Sequence, residues 1–433
     1  MRVPRLALLV ALAAGLAVAA LARQRDDAFQ VSRDHPAIAY TDGAVADGVA
    51  ALNERLAAGT ARLDFAGGKR GYLEAVLHAL DVPVESQVLV FSQTSLQAPL
   101  ISFHNPRAIY FNDNVAVGWV RGSDTLEIAS QDPRQGTMFY QLPQEGGGQP
   151  RFEREQKCLQ CHLSWDTRAV PGPLVQTVFP RKSDDEYANG FVVDDRVPLA
   201  ERWGGWWVTG TAVPARHMGN ARMIRPDADE RGGPGPAKLT SLEGRFDLDG
   251  YLTPYSDVVA LLVLDHQTHL ANLLTRAGWE WRLADYESRL PGTPRGASTA
   301  ITPRVRQAVD ELVDYMLFVE EAPLPSPVRG SSGFAEAFTA RGPKDAQGRS
   351  LRDFDLERRM MRYPLSYMIY STGFDGLPSA VKDAVYERLW TVLSGQDASE
   401  RYAHLTRPTR QAIVEILRAT KPDLPDYFGA VTH

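Results

Sequence analysis

The chain is poor in cysteine. Its 433 residues contain only two, Cys158 and Cys161, which excludes a disulfide-stapled scaffold and a zinc ribbon built from four thiolates. It also lacks an excess of positive charge. Lysine and arginine total 47 against 53 acidic residues, a net charge of −6, so nucleic acid is not an expected partner. After residue 22 no apolar run is long enough to span a bilayer.

One long apolar run does occur, at the N-terminus. Arg2 and Arg5 precede an almost unbroken stretch from Leu6 to Leu21, followed by Ala22 and the charged segment from Arg23. That is the layout of a secretory signal peptide, so residues 1–22 are expected to be cleaved on export or retained as an N-terminal anchor. The expected location is periplasmic, with membrane association only if the segment stays uncleaved. Without residues 1–22 the balance is 45 basic to 53 acidic, a net charge of −8. The remaining chain is far longer than one small cofactor needs for enclosure and predicts two or three domains.

The two cysteines stand in Lys157-Cys-Leu-Gln-Cys-His162, the c-type haem attachment pattern C-x-x-C-H. Two thiols at this spacing can add across the two vinyl groups of one porphyrin, and the adjoining His162 is then held beneath the iron as the axial ligand. Three rivals use the same residues. A thioredoxin-like redox pair lies where a strand feeds a helix, whereas the flank Arg151–Lys157 is polar and charged. A structural zinc site needs two more ligands from distant histidines, and a disulfide across two residues closes a strained small ring.

Residues Cys158–His162 resemble the c-type cytochrome superfamily. The stretches Glu201-Arg-Trp-Gly-Gly-Trp-Trp-Val-Thr-Gly210, Arg216-His-Met-Gly-Asn220, Ser241-Leu-Glu-Gly-Arg-Phe-Asp247 and Arg352-Asp-Phe-Asp-Leu356 resemble those of large bacterial proteins described only as cytochrome c domain-containing. The likeness runs from about residue 85 to the C-terminus. It implies one covalent haem c, electron transfer and an unidentified redox protein as partner, and it carries no substrate.

The pattern along the chain predicts an α+β fold. Val49, Leu52 and Leu56, then Tyr72, Val76 and Leu80, mark helices between residues 42 and 80. The runs 88–91, 108–111, 115–120 and 126–129 read as strands, with Asn112-Asp-Asn114 as a hairpin turn. Residues 144–150 are a glycine-rich linker, 206–209 one more strand, and 225–237 a surface loop. Helices are predicted over 255–276, 302–320, 364–370, 378–393 and 406–420, and the proline- and glycine-rich stretch 321–350 reads as a linker or flexible excursion. The expected division is 23–143 as an α+β N-terminal domain, 144–290 as a loop-rich haem-binding region and 291–433 as a helical region.

The second axial ligand decides between a carrier and an enzyme, because a filled sixth position moves electrons while an open one binds peroxide or another small ligand. His266 projects from the apolar face formed by Val259, Leu262, Val263, Leu270 and Leu273. A buried imidazole there needs a partner, either iron or a carboxylate or carbonyl, and a His266/His269 pair on a separate metal is a further reading. His217 and Met218 follow Trp203, Trp206 and Trp207, whose rings suit either core packing or a flat macrocycle. His35, close to the expected signal segment, and His433, the last residue, read as solvated tails, and His78, His104 and His404 lack a distinctive setting. Asp247 and Asp249 before Gly250 hint at a calcium loop but read better as a turn, and Tyr363, Tyr367 and Tyr370 read as core. The expectation is an exported monohaem electron carrier, with a peroxidase-type haem enzyme and a haem-based sensor or scaffold as alternatives.

Overall fold

A computed structural model describes residues 33–178, 190–221, 238–291 and 301–429. The expected signal segment 1–22, the loop 225–237 and His433 lie outside the described residues. The fold is α+β: a six-stranded sheet in the N-terminal half and helices in the C-terminal half.

Two short helices come first, α1 (Gly48–Ala57) and α2 (Leu73–Ala79). Asp47 caps α1 by accepting from Val49 N at 2.8 Å, and its other carboxylate oxygen accepts from Tyr140 at 2.5 Å, tying the helix to the sheet. The sheet is an antiparallel meander of β1 (Val88–Val90), β2 (Arg107–Phe111), β3 (Val115–Trp119), β4 (Thr125–Asp132), β5 (Gly136–Pro143) and β6 (Glu153–Arg154). Period-two alternation sends Leu89, Ala108, Tyr110 and Val117 toward α1 and α2. Val88, Val90 and Phe111 face the helical half, so β1 and β2 are sandwiched between two cores. β7 (Gln176–Val178) and β8 (Gly190–Val192) form a separate pair.

The helical half is organised on α4 (Val258–Ser288), a 31-residue helix longer than the predicted 255–276. Around it lie α5 (Pro303–Met316), α6 (Phe334–Ala340), α7 (Thr372–Asp375) and α8 (Ser379–Leu393), and α8 carries α9 (Arg407–Thr420). The turn that bears Cys161 and His162, α3 (Leu159–His162), follows directly on Cys158, and its Leu159 packs into the sheet core. No helix among the described residues is long and apolar enough to cross a membrane.

Several local expectations are corrected. Residues 206–209 make only single bridges, Val90 to Trp206 and Thr209 to Asp257, because positive φ at Trp203 and Gly205 turns the chain away from a ladder. Residues 364–370 form a short 3₁₀ turn at Tyr367–Tyr370 rather than an α-helix. The stretch 321–350 is not a flexible excursion: Leu324, Val328, Phe334 and Phe338 are buried in the helical core. Ser331 and Ser332 donate their backbone N–H to Asp257 Oδ2 at 2.7 and 2.9 Å. Both cores draw on distant parts of the chain. Strand β6 completes the sheet beyond residue 143, Trp207 and Trp279 pack into the sheet core, and α4 belongs to the helical core.

Candidate functional site

The segment that bears Cys158, Cys161 and His162 is delivered by β6, whose Glu153 and Arg154 pair with Gln141 and Tyr140. Glu155 then caps the 3₁₀ turn Gln156–Cys158, its carboxylate accepting from Lys157 N at 2.8 Å, and the chain runs on into α3. Leu159 and Val170 anchor the segment in the sheet core, with Cys158 and Leu163 packed against them. Cys161 is exposed, Cys158 is half-buried, and both thiols are free. Burial, with Glu127 and Glu155 adding to it, pushes the Cys158 thiol up to about 11, which keeps it protonated at neutral pH.

His162 is held on both sides of its Cα. Its Nδ1 lies 2.9 Å from Gly172 O, and its own carbonyl accepts from Gly172 N at 2.9 Å. A carbonyl only accepts, so Nδ1 carries the proton and Nε2 keeps its lone pair. The ring packs on Phe139 at 4.8 Å between centroids, and its desolvation holds the imidazole below its ordinary value, in the neutral form that a metal takes as ligand.

Residues 163–173 close a loop over this contact. Arg168 and Ala169 both adopt φ of 60°, and Ala169 N donates to Ser164 O at 2.8 Å. Pro171 O accepts from Thr137 N at 3.1 Å, and Pro173 O accepts from Asn272 Nδ2 at 2.9 Å. The loop thus sits between β5 and α4.

The sequence-predicted second ligands lie elsewhere. His266 is fully buried and both its nitrogens are engaged: Nδ1 with Asp195 Oδ2 and Nε2 with Ser366 Oγ, each at 2.8 Å. Its ring stacks on Tyr315 and Phe318 at 5.1 and 4.5 Å. Asp195, His266 and Ser366 have the connectivity of a hydrolytic triad, but all three are buried and Ser366 Oγ also accepts from Met368 N, so the hydroxyl is a turn cap. His269 Nε2 faces the guanidinium groups of Arg196 at 3.2 Å and Arg168 at 3.4 Å. Guanidinium groups only donate, so Nε2 is the acceptor. Burial above all, with both arginines and against the pull of Asp194, lowers His269 to about 3.

His217 and Met218 are half-buried. The His217 ring lies 6.0 Å from Trp203, and Met218 N donates to Arg202 O at 2.9 Å. The three tryptophans diverge, each indole N–H meeting a different protein acceptor: Trp203 on Asp265 at 3.0 Å, Trp206 on Gln176 O at 2.8 Å and Trp207 on Phe103 O at 3.3 Å. They are core rather than one flat wall. Asp247 and Asp249 pair with Arg121 and Lys69 at 2.8 and 2.5 Å in a turn, Tyr367 donates to Gln267 Oε1 within the core, and His404 Nε2 bonds Leu317 O at 2.7 Å. Among the described residues no group of three or more His, Cys, Asp or Glu side chains could hold a metal ion.

Sequence reasoning missed Gly172, Asn272, Asp195 and Ser366. Two signals bear on them: Pro171-Gly-Pro173 ten residues beyond the motif, and the polar stripe Asp265, His266, His269 and Asn272 at helical steps inside an apolar helix. The chain matches no protein-family model, no curated protein and no solved structure.

Proposed function

We propose that the chain is an exported c-type cytochrome that carries one haem, attached through Cys158 and Cys161 with His162 as axial ligand, and that it serves as a periplasmic electron carrier for an unidentified redox protein. The observation that carries the reading is the state of His162: Nδ1 is committed to Gly172 O, which leaves Nε2 as the nitrogen for iron. The residues fit the group in other respects. Both thiols are free, Cys161 is open to solvent, and one helical turn joins them to the imidazole.

When bound, the haem supplies a one-electron couple at its iron. The protein's part is to hold and orient. Leu159 and Val170 fix the segment to the sheet, Phe139 shields one side of the imidazole, and the Gly172 carbonyl sets its tautomer. Expression with the cytochrome maturation machinery should give haem that stays with the polypeptide on a denaturing gel, and a C158A/C161A variant should be colourless. Colourless wild-type protein ends the reading.

A peroxidase-type haem enzyme is the second reading, favoured by the engagement of both nitrogens of His266. A low-spin, six-coordinate ferric spectrum indifferent to cyanide and peroxide would count against it.

A further inference from the structure

Residues Pro171-Gly172-Pro173 present three consecutive carbonyls and, because proline has no N–H, one backbone donor. Every one of these groups is used. Pro171 O is taken by β5 through Thr137 N, Gly172 N by the carbonyl of His162, Gly172 O by the imidazole, and Pro173 O by Asn272 Nδ2 from α4. The carbonyl that orients the imidazole therefore lies between two others, each clamped by a separate element of the fold.

Asn272 is the clamp that comes from farthest along the chain, and it is 1 % exposed. Its amide is also in contact with Gly172, where a Cβ would fall 1.7 Å from Oδ1 and 2.7 Å from Cγ. One side chain thus holds the following carbonyl and walls the glycine whose own carbonyl receives His162. Its Oδ1 has no hydrogen-bond partner among the described residues, a buried acceptor left unsatisfied beside the glycine.

We propose that Asn272 is a positioning residue for the iron ligand: through Pro173 and Gly172 it fixes the carbonyl that accepts from His162 Nδ1, and so sets how strongly that imidazole donates to iron. This rests on the haem reading above. A firm Nδ1–H to carbonyl bond makes the opposite nitrogen more basic, which favours ferric over ferrous iron. Loosening the brace weakens that bond and favours the reduced state.

The test uses the full chain matured with haem, comparing wild type with N272L, N272A and N272Q. N272L keeps the branched skeleton while removing the donor, so it carries the test if the cavity left by N272A prevents folding. The expected result is a midpoint potential shifted upward in N272L and N272A and displaced hyperfine-shifted proton resonances of the ligand imidazole, with N272Q between them and wild type. Thermal unfolding measured alongside separates the two roles, because a merely structural asparagine would lower the melting temperature and leave potential and resonances at wild-type values. That outcome overturns the proposal. A wild-type protein without haem overturns the underlying reading instead, and is distinguished before any variant is made.

Discussion

Two histidines of this protein sit in opposite kinds of surroundings. His162 lies in a short polar segment whose order comes from backbone hydrogen bonds, and it spends one ring nitrogen on a carbonyl while keeping the other. His266 lies in the middle of a 31-residue helix, fully buried, with both nitrogens spent on protein groups and a ring on either side. The half-buried one keeps a ring nitrogen unspent and the central one does not. Burial shows that an imidazole needs partners, but which partners it has is settled by the neighbouring elements.

The comparison predicts unequal costs of removal. H266A deletes a stacked ring and leaves Asp195 and Ser366 facing each other across a cavity, so it should destabilise by about 3–5 kcal/mol in urea unfolding. In H162A one half-exposed ring and one hydrogen bond are lost, for about 1 kcal/mol of stability. On haem-bearing protein the order reverses: H162A should change the spin state of the iron, and H266A should leave it unchanged in whatever folded fraction remains. Equal stability costs, or a spin change in H266A, would break the contrast.

Next in size is G172A. Its Cβ would overlap the Asn272 amide, and relieving that overlap should cost about 1–3 kcal/mol while pulling Gly172 O away from His162. The expected readout is a lowered urea midpoint together with a changed ligand-imidazole signature. G148A, at an exposed glycine with open space around it, has no such neighbour to displace.

Much of the fold was legible because periodicity reports burial directly. Val49, Leu52 and Leu56 repeat at helical steps, β2 begins in alternation, and the Asn112-Asp113-Asn114 turn marks the step from β2 to β3. Strand β5 was not, because Met138-Phe-Tyr140 is buried on both faces and gives no alternation to read. Residues 321–350 misled for a different reason: prolines and glycines mark irregular backbone, and irregular backbone can still be packed, as Leu324, Val328 and Phe338 are. At the site, the motif named Cys158, Cys161 and His162 from local spacing alone. Gly172 could be suspected from the adjoining prolines, but Asn272 is 99 residues beyond Pro173 and Ser366 is 100 beyond His266. Contacts of that range are tertiary facts with no local signature.

The buried network around His266 also predicts a pH dependence. Burial lifts Asp265 from an ordinary 3.8 to about 7, against Arg202 and Trp203, and lifts Glu321 from 4.5 to about 7. Between about pH 4 and 7 the native state then holds protons that the unfolded chain has released, so this stabilisation is present at low pH and lost as pH rises through about 7. His269 works the other way: depressed to about 3, it contributes stability above its ordinary 6.5 that is lost as pH falls toward 3. The two slopes overlap, so the informative quantity is a difference. Lowering the pH from about 8 to about 5 should stabilise wild type relative to D265N in urea unfolding, and a constant gap between them would remove Asp265 as the cause.

The smallest expected effect tests the exposed side of the comparison. Asp247 and Asp249 share a turn with the spacing of a calcium loop, yet their carboxylates are already paired with Arg121 and Lys69, and Asp249 N donates to Asp247 Oδ1 at 3.0 Å within the turn. A calcium ion would have to displace two cations and gather oxygen ligands that this turn does not supply, since six to eight are needed. Millimolar calcium should therefore leave the melting temperature unchanged, and so should D249N, because both Lys69 and the carboxylate it meets are solvent-exposed. A calcium-dependent rise that D249N abolishes would mean that the pairs yield to the ion.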